Sequence, residues 1–151
     1  MASDDFVGVQ CYNRFVTGAA GYQQTPPEVQ RDAWGHEASP NVLAAVVREV
    51  NANCAAPIMV TEHGINTLDD PQRVRHLKAS IAGMDGCIAQ GIPILGYIHF
   101  GLFDTWEWGS GYTPRFGLVA VDRQTFARSP KPSAAAYRRL IAEMRRLHSW
   151  A

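Results

Sequence analysis

The chain has 151 residues, of which 46% are apolar, and this size and composition fit one ordinary globular domain. Fourteen basic residues balance fourteen acidic ones, which argues against nucleic acid or an anionic membrane as a partner. Cys11, Cys54 and Cys87 form no disulfide or zinc pattern and favour a reducing compartment. The polar N-terminus and the lack of a long apolar run predict a soluble, cytoplasmic protein.

The first third of the chain predicts one strand and one helix separated by a long loop. Phe6–Val9 is a short apolar run that favours a buried strand, and residues 13–39 are a polar segment rich in Gly, Gln, Thr and Pro. Ser39 and Pro40 have the chemistry of an N-cap and a first helical position. The apolar stripe expected to be buried on this helix consists of Leu43, Val46, Val47 and Val50.

The middle of the chain repeats the same pattern more clearly. Pro57–Thr61 predicts a second strand, covered on both sides because it is apolar throughout. Asp70 and Pro71 open a predicted helix that Gly91 ends. The apolar side chains that recur at helical spacing along it are Val74, Leu77, Ile81, Met84 and Ile88.

The last third predicts a third strand and a final helix. The strand is Pro93–Ile98, and an aromatic loop at residues 100–112 follows it. Phe116–Val121 favours a short extended segment, and Ser133–His148 favours a helix. The predicted inner face of that helix consists of Tyr137, Leu140, Ile141, Met144 and Leu147.

Three strand–helix pairs with apolar strands predict an α/β fold with a parallel sheet. In parallel α/β folds the functional groups lie at the carboxyl ends of the strands. All three predicted strands end in side chains that can do chemistry or bind a ligand: Gln10-Cys11-Tyr12, Thr61-Glu62-His63 and His99-Phe100. We therefore expect one site at this edge of the sheet.

Glu62 is the sharpest catalytic candidate, because it directly follows an apolar strand and precedes a His-Gly turn. A carboxylate in a cleft can attack the anomeric carbon of a sugar, where positive charge develops in the transition state. The alternative is a Glu that caps the next turn or pairs with a neighbouring cation. The residue alone does not decide between these two interpretations.

The segment Trp106-Glu107-Trp108 favours the first interpretation. Indoles stack on the apolar face of a pyranose ring, and a carboxylate accepts hydrogen bonds from two adjacent hydroxyls. Phe100, Phe103 and Tyr112 add aromatic surface to the same loop. The alternative is an aromatic patch of the core with Glu107 exposed.

In four ordered stretches the chain resembles the C-terminal part of glycoside hydrolase family 1, the β-glucosidases and β-glycosidases. These stretches are Asp5–Tyr12, Pro57–Gly64, Gly96–Tyr112 and Thr113–Ser133. The resemblance implies the last three strand–helix units, strands six to eight, of a (β/α)8 TIM barrel. Residues 1–151 would then form a single partial barrel domain.

The resemblance implies a role for each candidate residue. Glu62 matches the family's catalytic nucleophile, and Tyr12 matches the tyrosine that orients it. The resemblance also implies a substrate, a β-glycoside or oligosaccharide, and no cofactor or metal, since two carboxyl groups and water suffice. The positions that match sugar-binding residues are Glu107, Trp108, Phe100 and Trp34.

The sequence departs from the family pattern at several of these stretches. His63 follows the nucleophile where Asn is usual, Gln10 and Cys11 replace Asn-Tyr, and Phe100 replaces a Trp. The family's acid/base Glu lies in an Asn-Glu-Pro motif, which does not occur in this sequence. We therefore expect a chain that is inactive alone and that needs a complementing N-terminal half, or self-association, to complete the barrel. The alternatives are a non-catalytic carbohydrate-binding protein and a half-barrel interaction or remnant protein.

Overall fold

The computed structural model describes residues 4–148. Within them, strands and helices alternate irregularly, because two short hairpins interrupt the strand–helix pairs. The elements, in chain order, are β1 (Val7–Cys11), β2 (Val16–Gly18), β3 (Gly21–Gln23), α1 (Val42–Asn53), β4 (Ile58–His63), α2 (Asp70–Ala89), β5 (Ile94–His99), β6 (Val119–Val121), β7 (Arg128–Pro130) and α3 (Pro132–His148).

The central sheet has three parallel strands in the order β1-β4-β5. Val60 of β4 pairs with Val9 of β1 on one side and with Tyr97 of β5 on the other. The predicted α/β fold with a parallel sheet is confirmed. Because the strands are parallel, their carboxyl ends lie at one edge of the sheet.

One face of the sheet packs against the helices and forms the core. Ile58 and Val60 of β4 are completely buried there, and Leu77 of α2 is nearly so. Burying each such side chain contributes ~1.5–3 kcal/mol. The helical side chains in the same cluster include Leu43 and Val47 of α1 and Ile81, Met84 and Cys87 of α2.

The opposite face of the sheet is more open and carries two glycines, Gly8 and Gly96. A Cβ added to Gly8 would contact Thr61, and one added to Gly96 would contact Met59, so these four residues share that face. Ile98 on β5 is 48% exposed. Within the described residues, β1 and β5 each pair on one side only, so both present an unpaired edge.

Buried Arg73 of α2 fixes the loop that leaves β4. Its Nη1 donates to the carbonyls of Ile65 (2.8 Å) and Phe116 (3.1 Å), and its Nη2 donates to those of Thr67 (2.7 Å) and Arg115 (2.8 Å). Its Nε also contacts a carboxylate oxygen of Asp70 at 3.1 Å. One guanidinium therefore satisfies the backbone of two loops that border the carboxyl edge of the sheet.

Two boundary predictions in the first third are wrong. The helix begins at Val42 with Asn41 as its N-cap, because Ser39 and Pro40 lie in a turn closed by a bond from the Val42 N–H to the Ser39 carbonyl (3.3 Å). The predicted loop contains a hairpin, in which Val16–Gly18 pairs with Gly21–Gln23. Both strands of this hairpin are exposed and only three residues long, so they carry no burial pattern.

The predicted inner face of the last helix is partly wrong. Met144 is buried, but Ile141 and Leu147 are 37% and 51% exposed. The reason is that α3 packs mainly on α2 and contacts β5 through Tyr137 and Tyr97, which together cover only a narrow stripe of it. No helix within residues 4–148 combines the length and the apolar character needed to cross a bilayer.

Candidate active site

The carboxyl ends of β1, β4 and β5 open into one cleft of about 810 Å³. Glu62 lies near the end of β4, while Tyr12 and Phe100 directly follow β1 and β5. The loops after β1 and β5 supply the remaining walls. All six residues predicted for the site line this cleft: Glu62, Tyr12, Glu107, Trp108, Phe100 and Trp34.

Tyr12 and Glu62 are joined directly at the bottom of the cleft. The phenol of Tyr12 donates a hydrogen bond to Oε2 of Glu62. Burial raises the pKa of the Tyr12 phenol well above its usual value, and the Glu62 carboxylate raises it further. The phenol therefore remains a proton donor across the physiological pH range, and it fixes the rotation of the carboxylate.

The backbone after Glu62 passes very close to the backbone after β5. The Phe100 N–H donates to the His63 carbonyl at 2.9 Å. A Cβ added to Gly64 would overlap the carbonyl oxygen of Phe100, so only glycine fits at this position. A cis peptide bond joins Phe100 to Gly101.

His63 lies on the other face of β4 from Glu62 and is completely buried. Its Nδ1 is 2.8 Å from the Tyr97 hydroxyl and its Nε2 is 3.4 Å from Ser80 Oγ. The Ser80 hydroxyl also lies 3.3 Å from the Pro40 carbonyl, so both ring nitrogens of His63 have a hydroxyl partner. Burial, with smaller contributions from neighbouring histidines, lowers the pKa of His63 to about 3.

His63 belongs to a buried layer of imidazoles beneath the site. Its ring stacks on that of His76, with centroids 5.1 Å apart. Burial lowers the pKa values of His76 and His99 to about 4. Within residues 4–148 neither ring nitrogen of His76 has a hydrogen-bond partner, so this layer holds neutral histidines.

Glu107 places a second carboxylate in the cleft. A tight turn holds it, in which the Glu107 N–H donates to the Gly111 carbonyl (2.7 Å) and the Gly111 N–H donates back (2.8 Å). Burial raises the pKa of the Glu107 carboxyl, and the charge of Glu62 raises it further. Two carboxylates, Glu62 and Glu107, therefore share one aromatic cleft.

Aromatic rings form much of the remaining wall. The Trp106 and Trp108 rings meet edge to face with centroids 5.1 Å apart, and Trp108 is 87% exposed. The ring centroids of Phe100 and Tyr12 are 5.8 Å apart, and those of Trp34 and Phe116 are 5.3 Å apart. The cleft thus combines apolar rings with two carboxylates, which suits a polyhydroxylated ring with apolar faces.

Several cleft residues were not predicted from the sequence. Phe116, Phe15 and His36 all line the cleft. Phe15 and His36 lie in the segment predicted to be a loop, and Phe116 begins the segment predicted to be extended. The sequence carries one signal for His36. Asp side chains favour Asx turns, and Asp32 precedes both Trp34 and His36, so a turn there brings the two rings near each other. Asp32 accepts the backbone N–H groups of both Trp34 (2.9 Å) and His36 (2.8 Å).

Among the described residues, no group of three or more His, Cys, Asp or Glu side chains is arranged to hold a metal ion. The three cysteines are free thiols. Burial raises the pKa of Cys11, which also lines the cleft. The groups in the cleft that can exchange protons or form covalent bonds are therefore carboxyls, a phenol, an imidazole and one thiol.

Known proteins resemble this chain over nearly its whole length. The model of glycosyl hydrolase family 1 matches residues 8–145. The galactolipid galactosyltransferase SFR2 of Arabidopsis thaliana is 32% identical over 91% of the chain, and the beta-galactosidase of Sulfolobus acidocaldarius is 32% identical over 90%. The crystal structure of beta-glycosidase BGL167 superposes with a TM-score of 0.88, at 43% identity over 93% of the chain.

The match covers only part of each of these proteins. The chain spans 22% of the Arabidopsis protein, 31% of the Sulfolobus protein and 34% of the BGL167 chain. The similar solved structures are family 1 β-glucosidases with a (β/α)8-barrel fold. The sequence match over residues 8–145 and the identity to these relatives show that the chain belongs to glycosyl hydrolase family 1.

Proposed function

We propose that the chain is the C-terminal part of a retaining β-glycosidase barrel and that Glu62 is its catalytic nucleophile. The observation that carries this proposal is the hydrogen bond from Tyr12 to Oε2 of Glu62, within a cleft that also contains Glu107. A donor on one carboxylate oxygen fixes the orientation of the group and leaves the other oxygen for attack. Residues 1–151 would form one partial domain that supplies strands six to eight, here β1, β4 and β5.

The remaining cleft residues have binding roles in this proposal. Glu107 accepts hydrogen bonds from two outer hydroxyls of the glycone, and the adjacent Trp108 binds at the same end. Phe100 contacts the apolar face of the sugar ring, and Trp34 lies on the aglycone side. The mixture of exposed indoles and a partly buried carboxylate supports these assignments.

The reaction proceeds by double displacement. An oxygen of Glu62 bonds to the anomeric carbon while the bond from that carbon to the aglycone oxygen breaks. The electron pair leaves on the aglycone oxygen, which takes a proton from a general acid. Water then attacks the anomeric carbon, gives its proton to the same group acting as a base, and releases Glu62.

The general acid is expected in the rest of the barrel. Retaining enzymes place their two carboxyl groups ~5–5.5 Å apart, and the family's Asn-Glu-Pro motif does not occur in the 151 residues. A complementing N-terminal segment that pairs with the open edges of β1 and β5 would supply it. Self-association through the same edges would cover the sheet without supplying the general acid.

Rescue of a Glu62 variant by azide tests the proposal. The substrate is 2,4-dinitrophenyl β-D-glucoside, whose leaving group needs no proton, and the protein is tested alone and fused behind the N-terminal part of a family 1 β-glucosidase. We expect Glu62→Gly to abolish release of dinitrophenol, and azide to restore it with α-glucosyl azide as the product. Release of dinitrophenol that persists in Glu62→Gly would contradict the proposal. If the protein binds the sugar but releases no dinitrophenol, and Glu62→Gln leaves that binding unchanged, a carbohydrate-binding protein is favoured.

A second candidate is transfer of the sugar to another hydroxyl. One relative of similar identity is named as a galactolipid galactosyltransferase. The same glycosyl-enzyme serves both reactions, because an acceptor hydroxyl can attack the anomeric carbon in place of water. Analysis of the products that the fused protein forms in the presence of a galactosyl acceptor distinguishes the two reactions. Transfer gives a new glycoside, whereas hydrolysis gives free sugar.

A further inference from the structure

A second cavity of about 310 Å³ adjoins the cleft and has no role in the function proposed above. Trp34 and His36 line both cavities. The other wall of the second cavity comes from β3 and the residues after it, including Tyr22 and Thr25, and from Arg31. A volume near 300 Å³ is at the lower end of the range for small-molecule sites.

The wall between the two cavities is held in place by buried Asp32. Its Oδ1 accepts the backbone N–H groups of Trp34 (2.9 Å) and His36 (2.8 Å), and its Oδ2 accepts the Asn13 amide (2.8 Å). Gly35 between the two rings has a φ of +84°, which favours glycine. The wall is therefore formed without a ligand, so little ordering cost opposes binding.

The electrostatic character changes sign across this wall. Of the described residues that line the cleft, two are carboxylates, Glu62 and Glu107, and none is Lys or Arg. Of those that line the second cavity, one is a cation, Arg31, and none is Asp or Glu. A ligand that spans both cavities would therefore have a neutral, hydroxyl-rich end at the cleft and a negative group at Arg31.

The carboxylates near Arg31 are already engaged elsewhere. Asp32 accepts three N–H groups, and Glu37 pairs with Arg14 at 2.9 Å. The Nη2 of Arg31 donates to the Thr25 carbonyl, which fixes the guanidinium on the side of the cavity away from Trp34 and His36. A guanidinium has five N–H donors, so this bond leaves donors for an oxyanion.

We infer that the second cavity binds a carboxylate or similar oxyanion carried by the aglycone of a β-glycoside whose sugar occupies the cleft. The inference rests on the proposed function and names its substrate class. The guanidinium of Arg31 would pair with the anion, and the Tyr22 and Trp34 rings would contact the apolar link between the anion and the sugar. Neutral aglycones of the same shape would lose only the charged contact.

A matched pair of glucosides tests the inference. The probes are 4-(2-carboxyethyl)phenyl β-D-glucoside and its neutral carboxamide, titrated by NMR into the full chain and into the variants Arg31→Gln and Arg139→Gln. Arg139 is an exposed arginine on α3, remote in sequence from the pocket, and serves as the control. We expect the carboxylate to bind about three- to tenfold more tightly than the amide, as a partly exposed charged hydrogen bond allows.

The variants and controls give each outcome a meaning. Arg31→Gln should remove the preference without weakening amide binding, Arg139→Gln should preserve it, and added salt should reduce it. The free aglycone, 3-(4-hydroxyphenyl)propanoate, should bind more weakly than its glucoside, because the sugar contributes affinity in the cleft. Equal binding of the two glucosides, with perturbed resonances near Glu62, would overturn the inference and leave the proposed function intact. Failure of both glucosides to bind the chain would overturn the inference alone, because the proposed function is tested separately in the fused protein. A preference that survives Arg31→Gln would also overturn the inference alone.

Discussion

Glu62 and His63 are adjacent in sequence and lie on opposite faces of β4. The Glu62 carboxylate accepts a hydrogen bond from Tyr12 in the cleft. The His63 imidazole is completely buried beneath it, with Tyr97 and Ser80 as its partners. The strand thereby separates a solvated reactive group from a dry polar layer that anchors the same stretch of backbone.

Tyr12→Phe should slow the reaction of Glu62 without unfolding the chain. It removes the proton donor and keeps the ring that packs against Phe100 and Phe116. A hydrogen bond to a charged group contributes ~1.5–3 kcal/mol, so the rate of dinitrophenol release should fall ~10- to 100-fold. Stopped-flow measurement of that release, in the chain fused to the missing part of the barrel, checks the expectation. An unchanged rate in a correctly folded variant would show that Tyr12 does not orient the carboxylate.

The buried histidines should make the fold sensitive to mild acid. The pKa values of His63, His76 and His99 lie at about 3 to 4 in the folded chain, below the 6.5 expected when unfolded. Between those values the unfolded state binds more protons, so stability is complete above pH ~6.5 and falls as the pH decreases. Each histidine can contribute a slope of up to ~1.4 kcal/mol per pH unit.

Urea unfolding at several pH values between about 7.5 and 4.5 measures this dependence directly. His76→Phe keeps the stacked ring and removes one titrating group, so it should flatten the curve without lowering stability at neutral pH. Asp70 has a lowered pKa, so the stability that it contributes is fully present above its usual value of 3.8 and is lost only as the pH falls below that value. A stability that is constant over this range would contradict the neutral, buried state of the three rings.

Arg73→Met should destabilise the chain far more than Arg75→Met. Arg73 is almost completely buried and donates to four backbone carbonyls, while the Arg75 side chain on the same helix is 63% exposed. Removing Arg73 leaves four buried carbonyls without their donor and takes away the cation beside Asp70, which keeps its bonds from Ser133. This change costs ~3–5 kcal/mol. The exposed control should change the free energy of unfolding by less than ~0.5 kcal/mol. Similar urea midpoints for the two variants would show that the loops do not depend on Arg73.

Gly64→Ala and Gly86→Ala form a second matched pair, with opposite expected effects. The added Cβ at Gly64 would overlap the Phe100 carbonyl, whereas at Gly86 of α2 nothing lies within 4 Å. Gly64→Ala should therefore destabilise the chain by more than ~2 kcal/mol and displace Phe100 from the cleft. Gly86→Ala should stabilise it by ~0.5–1 kcal/mol, because alanine restricts the unfolded chain and favours the helix. Thermal unfolding of both variants tests the close approach of the two backbones.

Strong periodic patterns made the sheet and α2 predictable from sequence. Leu77, Ile81 and Met84 recur on one helical face, and all three are buried. The convergence of Tyr12, Glu62 and Phe100 followed from parallel strands that end at one edge. Strict alternation along β4 would place Glu62 on the same face as buried Val60, but a register irregularity between Val60 and His63 turns Glu62 to the cleft and His63 to the helix side. The substitution of His for Asn gave no indication of a buried layer with His76.

The rest depended on tertiary contacts that local patterns do not encode. The hairpin at residues 16–23 has short, exposed strands, and Ile141 carries the same apolar signal as buried Met144. Phe116 and His36 reach the cleft from loops whose paths are set by distant groups. One such group is Arg73, which bonds the Phe116 carbonyl. The side chains at the strand ends were therefore more predictable from sequence than the loops that surround them.

Covalent trapping tests the identity of the nucleophile most directly. The full chain, fused behind the N-terminal part of a family 1 β-glucosidase, is treated with 2,4-dinitrophenyl 2-deoxy-2-fluoro-β-D-glucoside, and the labelled peptide is mapped by mass spectrometry. We expect one fluoroglucosyl group on Glu62, none in Glu62→Gln, and slower labelling in Glu107→Gln, which retains the nucleophile. A label on Glu107 or any other residue, or no label in a folded protein that binds the sugar, would contradict the assignment of Glu62.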